Sequence, residues 1–207
     1  MIKFEKSERM DDDFDSKEYA VSEIKEPVIN TIGKSVITRC RYGAEVINMP
    51  SSMSIDIDYT LKIKGEAQTL NDTVELAEEI AEDSELTFRI YRTFKGLRVI
   101  IIGREFNPRS YASDDLMNQF GCDIVYAILC IKQNCFRLRL TPKPERIGFG
   151  KADKYDGSQG WIDRYNADRS GFASARFIRQ IGPEVELPDE IKVHDKMTGS
   201  FTELPLA

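Results

Sequence analysis

The sequence predicts an α+β protein built on a ferredoxin-like, RRM-like βαββαβ core with an open antiparallel sheet face, plus N- and C-terminal additions. Three observations predict it. Residues 53–61 and 135–141 alternate apolar and polar side chains with period two. Residues 73–83 and 124–131 carry helical apolar stripes. Between them, 86–91 and 97–102 read as two strands of a hairpin turning near Lys95-Gly96. The order strand, helix, strand, strand, helix, strand is the split βαβ arrangement. Its first and third strands lie side by side at the centre, and its helices cover one face only.

Each element has a local reason. Residues 1–35 form a loose or peripheral N-terminal segment; positions 1–26 hold nine acids and five bases with few apolar residues, and Pro27 ends them. The α+β, palm-like core spans 36–144. Val36–Tyr42 reads as a strand ending at Gly43, and Pro50-Ser51-Ser52 breaks the chain. In 53–61, Ile55, Ile57, Tyr59 and Leu61 face one way and Ser54, Asp56, Asp58 and Thr60 the other. Asp72 with Glu75 is a capping-box pattern opening the helix of Val74, Ala77, Ile80 and Ala81. Ser113 caps a short helix that buries Leu116, Met117 and Phe120 and stops at Gly121; Asp123 caps the next. In the last core strand Phe136, Leu138 and Leu140 point in, Arg137 and Arg139 point out, and Pro142 and Pro144 end it. Residues 145–171 are polar and glycine-rich and read as a long polar loop. Residues 172–207 read as a strand to Ile181 and a docked tail ending in apolar Leu-Pro-Leu-Ala.

Composition excludes several classes. The 207 residues are 41% hydrophobic and 31% charged, which is globular. No apolar run approaches the ~20 residues of a membrane span, so no membrane partner is expected. The charged N-terminus lacks an apolar signal core, and four cysteines make no disulfide framework, so a cytoplasmic location is expected. A net charge of −6 argues against a protein that coats nucleic acid in bulk. The charge is uneven, however. Residues 65–85 hold eight acids and no base, and residues 86–146 hold eleven Lys/Arg against five acids. Either the basic block forms a localised anion site, or it neutralises the acidic helix.

Asp56 and Asp58 carry the sharpest chemistry. Two carboxylates at i and i+2 point the same way, about 6–7 Å apart. Their repulsion is relieved by Mg²⁺ or Mn²⁺, which prefers oxygen ligands and also clamps phosphates. The alternative is a strand whose acids meet arginines. Strand parity adds Arg89 (or Arg92) and Tyr91, Arg98, and Arg137 with Arg139 to the same face. Lys95 at the hairpin turn and Lys143 at the strand exit are further phosphate contacts. His194-Asp195 is an auxiliary acid/base pair or an anchor for the tail. Cys122, Cys130 and Cys135 have no zinc-site spacing.

The stretches RIYRTFKGLRVII, GCDIVYAILCIKQNCFRLRLTPKP and HDKMTGSFTELPLA resemble a family of poorly characterised bacterial proteins over roughly residues 53–207. More distantly, Ile55-Asp56-Ile57-Asp58 and Thr93-Phe94-Lys95-Gly96-Leu97-Arg98 resemble the catalytic palm of the archaeo-eukaryotic primase-polymerases. That resemblance implies an acid pair on one strand and a Thr/Ser-x-x-Gly-x-His hairpin beside it. Here Arg98 stands where the family has His, and Arg137-Leu138-Arg139-Leu140 offers no third acid.

Three functions follow as expectations. The first is a nucleotide or nucleic-acid phosphate-binding module on a palm-like sheet, of degenerate primase-like type, with Mg or Mn as cofactor. The second is a metal-dependent nucleotidyl- or phosphoryl-transfer enzyme using Asp56, Asp58 and Arg98. The third is a structural interaction protein whose charged sheet satisfies itself. The missing third acid favours the first over the second.

Overall fold

The computed structural model describes residues 26–59, 65–150 and 152–207. Along the chain run β1 (Val28–Ile32), β2 (Ser35–Arg39), β3 (Glu45–Met49), β4 (Met53–Asp58), α1 (Glu66–Glu82), β5 (Thr87–Arg92) and β6 (Gly96–Ile102). Then follow α2 (Tyr111–Gln119), α3 (Ile124–Gln133), β7 (Phe136–Arg139), α4 (Gln159–Arg169), β8 (Arg176–Ile181) and α5 (Asp189–Thr198). The described residues form an α+β protein with two antiparallel sheets, ordered β1-β2-β3-β7 and β4-β6-β5-β8.

The second sheet positions the site. The alternation of residues 53–58 is realised in β4: Ile55 and Ile57 are sealed in the core, while Asp56 and Asp58 are half-buried on the other face. Each such aliphatic contributes about 1.5–3 kcal/mol on burial. The first and third core strands lie side by side as expected, with Asp56 opposite Arg98 and Asp58 opposite Gly96. Gly96 is required there. A Cβ at this position would lie 1.8 Å from the Ile57 carbonyl oxygen. Only glycine lets the two backbones meet so closely.

The fourth core strand departs from the expected order. β7 pairs with β3, not with β4. Its partner was not read as a strand, yet Glu45–Met49 is buried throughout. The apolar pairs Ile47–Leu138 and Met49–Phe136 draw β7 into the first sheet. β8 borders β5 instead, so among the described residues β4 has β6 as its one ladder partner.

Other boundaries shift for local reasons. The helix read over 73–83 starts at Glu66, and its N-cap is Gly65. Asp72 therefore lies inside it, accepting the Gln68 amide at 2.6 Å rather than capping. Ser110, not Ser113, caps α2. Asp123 does cap α3, accepting from the amides of Val125 and Tyr126. Asn134 ends α3 in the left-handed region, at φ 51°, so the chain can reverse into β7. Within 145–171, α4 forms because Trp161 and Tyr165 pack with Phe149 into a satellite core. The segment 1–35 contains β1, and its residues 1–25 lie outside the described residues.

The sheet face expected to be open is covered over part of its width. The tail contains α5, which lays buried His194 and Asp195 over Arg89, Tyr91 and Arg98. That half of the face is covered. Further along the tail, Ala207 is buried and its amide donates to the Ala173 carbonyl at 2.9 Å. No helix among the described residues is long and apolar enough to cross a membrane.

Candidate functional site

Arg98 divides the charged face into two halves with different chemistry. On the β5 side Arg89, Tyr91, His194 and Asp195 form one hydrogen-bonded network. Arg89 donates to Asp195 Oδ2 at 2.5 Å, to Gln180 at 2.8 Å and to the Tyr91 hydroxyl at 2.8 Å. Tyr91 donates to Asp195 Oδ1 at 2.7 Å, and His194 Nδ1 lies 3.0 Å from the same oxygen. Burial works against the Asp195 charge, but the His194 and Tyr91 hydrogen bonds and Arg89 outweigh it and hold its pKa below the ordinary value. Burial dominates at His194 and lowers its pKa to about 4, so the ring is neutral at physiological pH. Burial also raises the Tyr91 hydroxyl.

On the β4 side lies a pocket of about 410 Å³ between the two sheets. Arg98 and Asp56 come from the second sheet, Arg137 and Arg139 from β7, and Arg41 and Tyr42 from the turn after β2. The N-terminal turns of α3 close it with Val125, Tyr126 and Leu129. That helix is pinned in place. The Asp123 amide donates to the Asp56 carbonyl at 2.8 Å, and the Tyr126 and Ser54 hydroxyls are 2.5 Å apart. Lys143 leaves β7 at the rim.

Five cationic and three acidic side chains line this pocket. Two of the acids already have work. Glu26 binds Arg137 at 2.8 Å and accepts from Thr38 at 2.6 Å, and Asp123 caps α3. Asp56 remains, and Arg98 Nε stands 4.0 Å from it, at the outer limit of an ion pair. No ion pair among the described residues includes Arg41 or Arg139. The Nε atoms of Arg98 and Arg139 are buried without a hydrogen-bond partner among the described residues.

The cations strain one another. Arg98 is buried, and burial lowers its pKa; Asp56 opposes this and Arg139 adds to it. At Lys143, burial is again the first cause of a lowered pKa, followed by Arg139 and Arg146. Arg146, stacked 4.5 Å over the Phe94 ring, is lowered by burial and then by Arg139. Cations at close quarters with buried N–H groups unspent have the chemistry to accept an anion.

Of the residues singled out from sequence, the pocket gathers Asp56, Arg98, Arg137, Arg139 and Lys143. Asp58 sits two pairs further along β4 and does not line it. Arg92 pairs with Glu66 at 3.0 Å near the surface. Lys95 is exposed at the hairpin turn, close enough to lower Lys143. Arg89, His194 and Asp195 belong to the buried network. Among the described residues, no three His, Cys, Asp or Glu side chains converge as a metal site. Sequence reading missed Arg41, Tyr42, Tyr126 and Arg146. Tyr126 carried a usable signal, a polar tip in the otherwise apolar run Ile124–Ile131; the other three come from turns whose course no periodicity dictates.

No protein-family model, no curated protein and no solved structure matches this chain.

Proposed function

We propose that the pocket between the two sheets binds the phosphate of a nucleotide or nucleic acid. One observation carries this reading. Arg98 is buried in the pocket wall with its Nε unspent, beside half-buried Arg139 whose Nε likewise has no partner among the described residues. Burying a guanidinium with an unused donor is costly unless something completes it. A phosphate supplies several acceptor oxygens and a charge that relieves the Arg98–Arg139–Lys143 repulsion. Val125 and Leu129 offer an apolar wall for a base or sugar. The primase-polymerase palm agrees with Asp56 and Arg98 facing each other on neighbouring strands, and the ferredoxin-like reading of the core rests on the β4-β6-β5 pairing.

A divalent ion belongs to this proposal as a passenger of the ligand. Asp56 is the one carboxylate of the expected pair that reaches the pocket, so Mg²⁺ or Mn²⁺ would be held mainly by phosphate oxygens. The self-satisfied structural sheet keeps specific support on the β5 side, where the Arg89–Asp195 pair is complete.

Calorimetry tests the reading. Pyrophosphate, a nucleoside triphosphate and a short single-stranded oligonucleotide are titrated with and without Mg²⁺ or Mn²⁺. The expected result is saturable binding that weakens at higher salt and in Arg139→Ala and Lys143→Ala. Loss of one charge-assisted contact is worth about 1.5–3 kcal/mol, or tenfold and more in Kd. No binding of any of the three by the unaltered chain refutes the proposal.

A further inference from the structure

Among the described residues, Arg98 makes its hydrogen bonds through one nitrogen. Its NH1 donates to the Arg139 carbonyl at 3.1 Å and lies 3.1 Å from His194 Nε2. His194 is wholly buried, with Tyr91 edge-on at 4.9 Å between ring centroids. Its other nitrogen, Nδ1, faces the Asp195 carboxylate. A carboxylate accepts, so Nδ1 carries the hydrogen and Nε2 presents a lone pair to Arg98. Asp195 in turn is fixed by Arg89 and Tyr91 from β5. The chain of contacts therefore runs from the covered half of the sheet to the wall of the pocket.

We infer that His194 is a positioning residue for the anion pocket: a neutral acceptor that fixes the Arg98 guanidinium without cancelling its charge. The inference rests on the pocket reading above and adds a role for α5. The chemistry of the alternatives shows why the residue type matters. An acid at this position would hold Arg98 equally well but would neutralise it, and the pocket would lose its deepest cation. An apolar residue would leave NH1 one acceptor short and the side chain free to turn. A neutral imidazole does neither. Its lowered proton affinity, caused first by burial and opposed by Asp195, keeps it an acceptor. The groups facing it are Asp195 on its own helix and Arg98 and Tyr91 from β6 and β5, with Arg89 behind Asp195. Asp195 and Arg89 offset each other, so the net charge near the ring is that of Arg98 itself.

Two substitutions of similar shape separate this role from packing. His194→Gln keeps a neutral acceptor, and His194→Glu makes it anionic. With inorganic pyrophosphate as the probe, the Gln variant should bind within about threefold of the unaltered chain, and the Glu variant should lose about tenfold or more. A packing role alone predicts equal affinities for the two. Equal affinities alongside binding by the unaltered chain overturn this inference and leave the pocket reading intact. Absence of pyrophosphate binding by the unaltered chain overturns both. Nitrogen-15 NMR of the single histidine in the unaltered chain supplies a readout that needs no variant to fold. Nε2 should appear unprotonated and Nδ1 protonated at neutral pH. A hydrogen on Nε2 overturns the inference whatever the variants do.

Discussion

Replacing Asp195 by Asn tests whether the β5 half of the charged face is a buried ion network. The carboxylate accepts from Arg89 at 2.5 Å and Tyr91 at 2.7 Å and meets His194 Nδ1 at 3.0 Å. The Arg89 and Asp195 side chains are 6% and 8% exposed, so little solvent screens the pair. Asn preserves the volume but leaves the Arg89 charge uncompensated. It also sets an amide donor against a guanidinium donor. Removing one partner of such a pair costs about 3–5 kcal/mol. With a urea slope of about 2 kcal/mol/M, the unfolding midpoint falls by about 2 M. Asp56→Asn is the internal control. Its side chain is 42% exposed and its arginine stands 4.0 Å away, so solvent screening limits the loss to within about 1 kcal/mol. Urea melts followed by far-UV circular dichroism and by Trp161, the single tryptophan, measure both variants. Equal losses in the two variants, or a loss below about 1 kcal/mol for Asp195→Asn, refute the buried-network reasoning.

The pH dependence has a definite sign. The folded pKa of His194, about 4, lies below its unfolded value of 6.5, so the unfolded chain binds the extra proton between them. Its contribution is complete above that window and declines as pH falls through it, by up to about 3 kcal/mol; the depressed Asp195 pKa acts in the same direction. Urea midpoints should drop from about pH 7 to about pH 5, and the lone histidine's ring proton should show no titration near 6.5; a shift centred there refutes the burial argument. Gly43→Ala puts a Cβ 2.3 Å from the Trp161 ring at a φ of +93°, so it should cost about 1–3 kcal/mol and alter Trp161 fluorescence. Gly96→Ala drives a Cβ into the Ile57 carbonyl and should both lower the melting temperature and weaken pyrophosphate binding, because β4 carries Asp56 away from Arg98. An unchanged melt would contradict the close strand approach.

The sequence reached far where a local pattern had one structural solution. Alternation in residues 53–61 and strand parity in the 86–91 and 97–102 hairpin put Asp56, Arg89, Tyr91 and Arg98 on one face, and the register Asp56–Arg98–Tyr91 places them there. It reached less far where the solution depended on a distant partner. Whether Phe136–Arg139 pairs with β4 or with β3 is decided by Ile47 and Met49, nearly ninety positions away, and no alternation in Glu45–Met49 advertises a strand buried on every side. α5 hides for a similar reason. Asp189–Thr198 has few apolar residues, and its buried positions Ile191, His194, Asp195 and Thr198 are mostly polar. Their burial is tolerable only because Arg89, Tyr91 and Arg98 await them across the sheet.

That dependence explains how one charged face can serve structure and site together. Alternation cannot say which half of a polar face will be covered; the polar groups of the cover decide it. α5 brings one carboxylate and one neutral ring, enough to complete Arg89 but not to discharge Arg98. On the other side, Glu26 is spent on Arg137 and Asp123 on its own helix, leaving Asp56 against Arg98, Arg139 and the nearby Arg41 and Lys143. The uncompensated charge therefore accumulates where β4, β7 and α3 leave space. A polar sheet with every pair closed would be stable and inert. This one closes its pairs on the β5 side and leaves the guanidinium donors unspent on the β4 side, and it is that asymmetry, more than the Asp-x-Asp spacing, that marks the pocket as the place to look for a ligand.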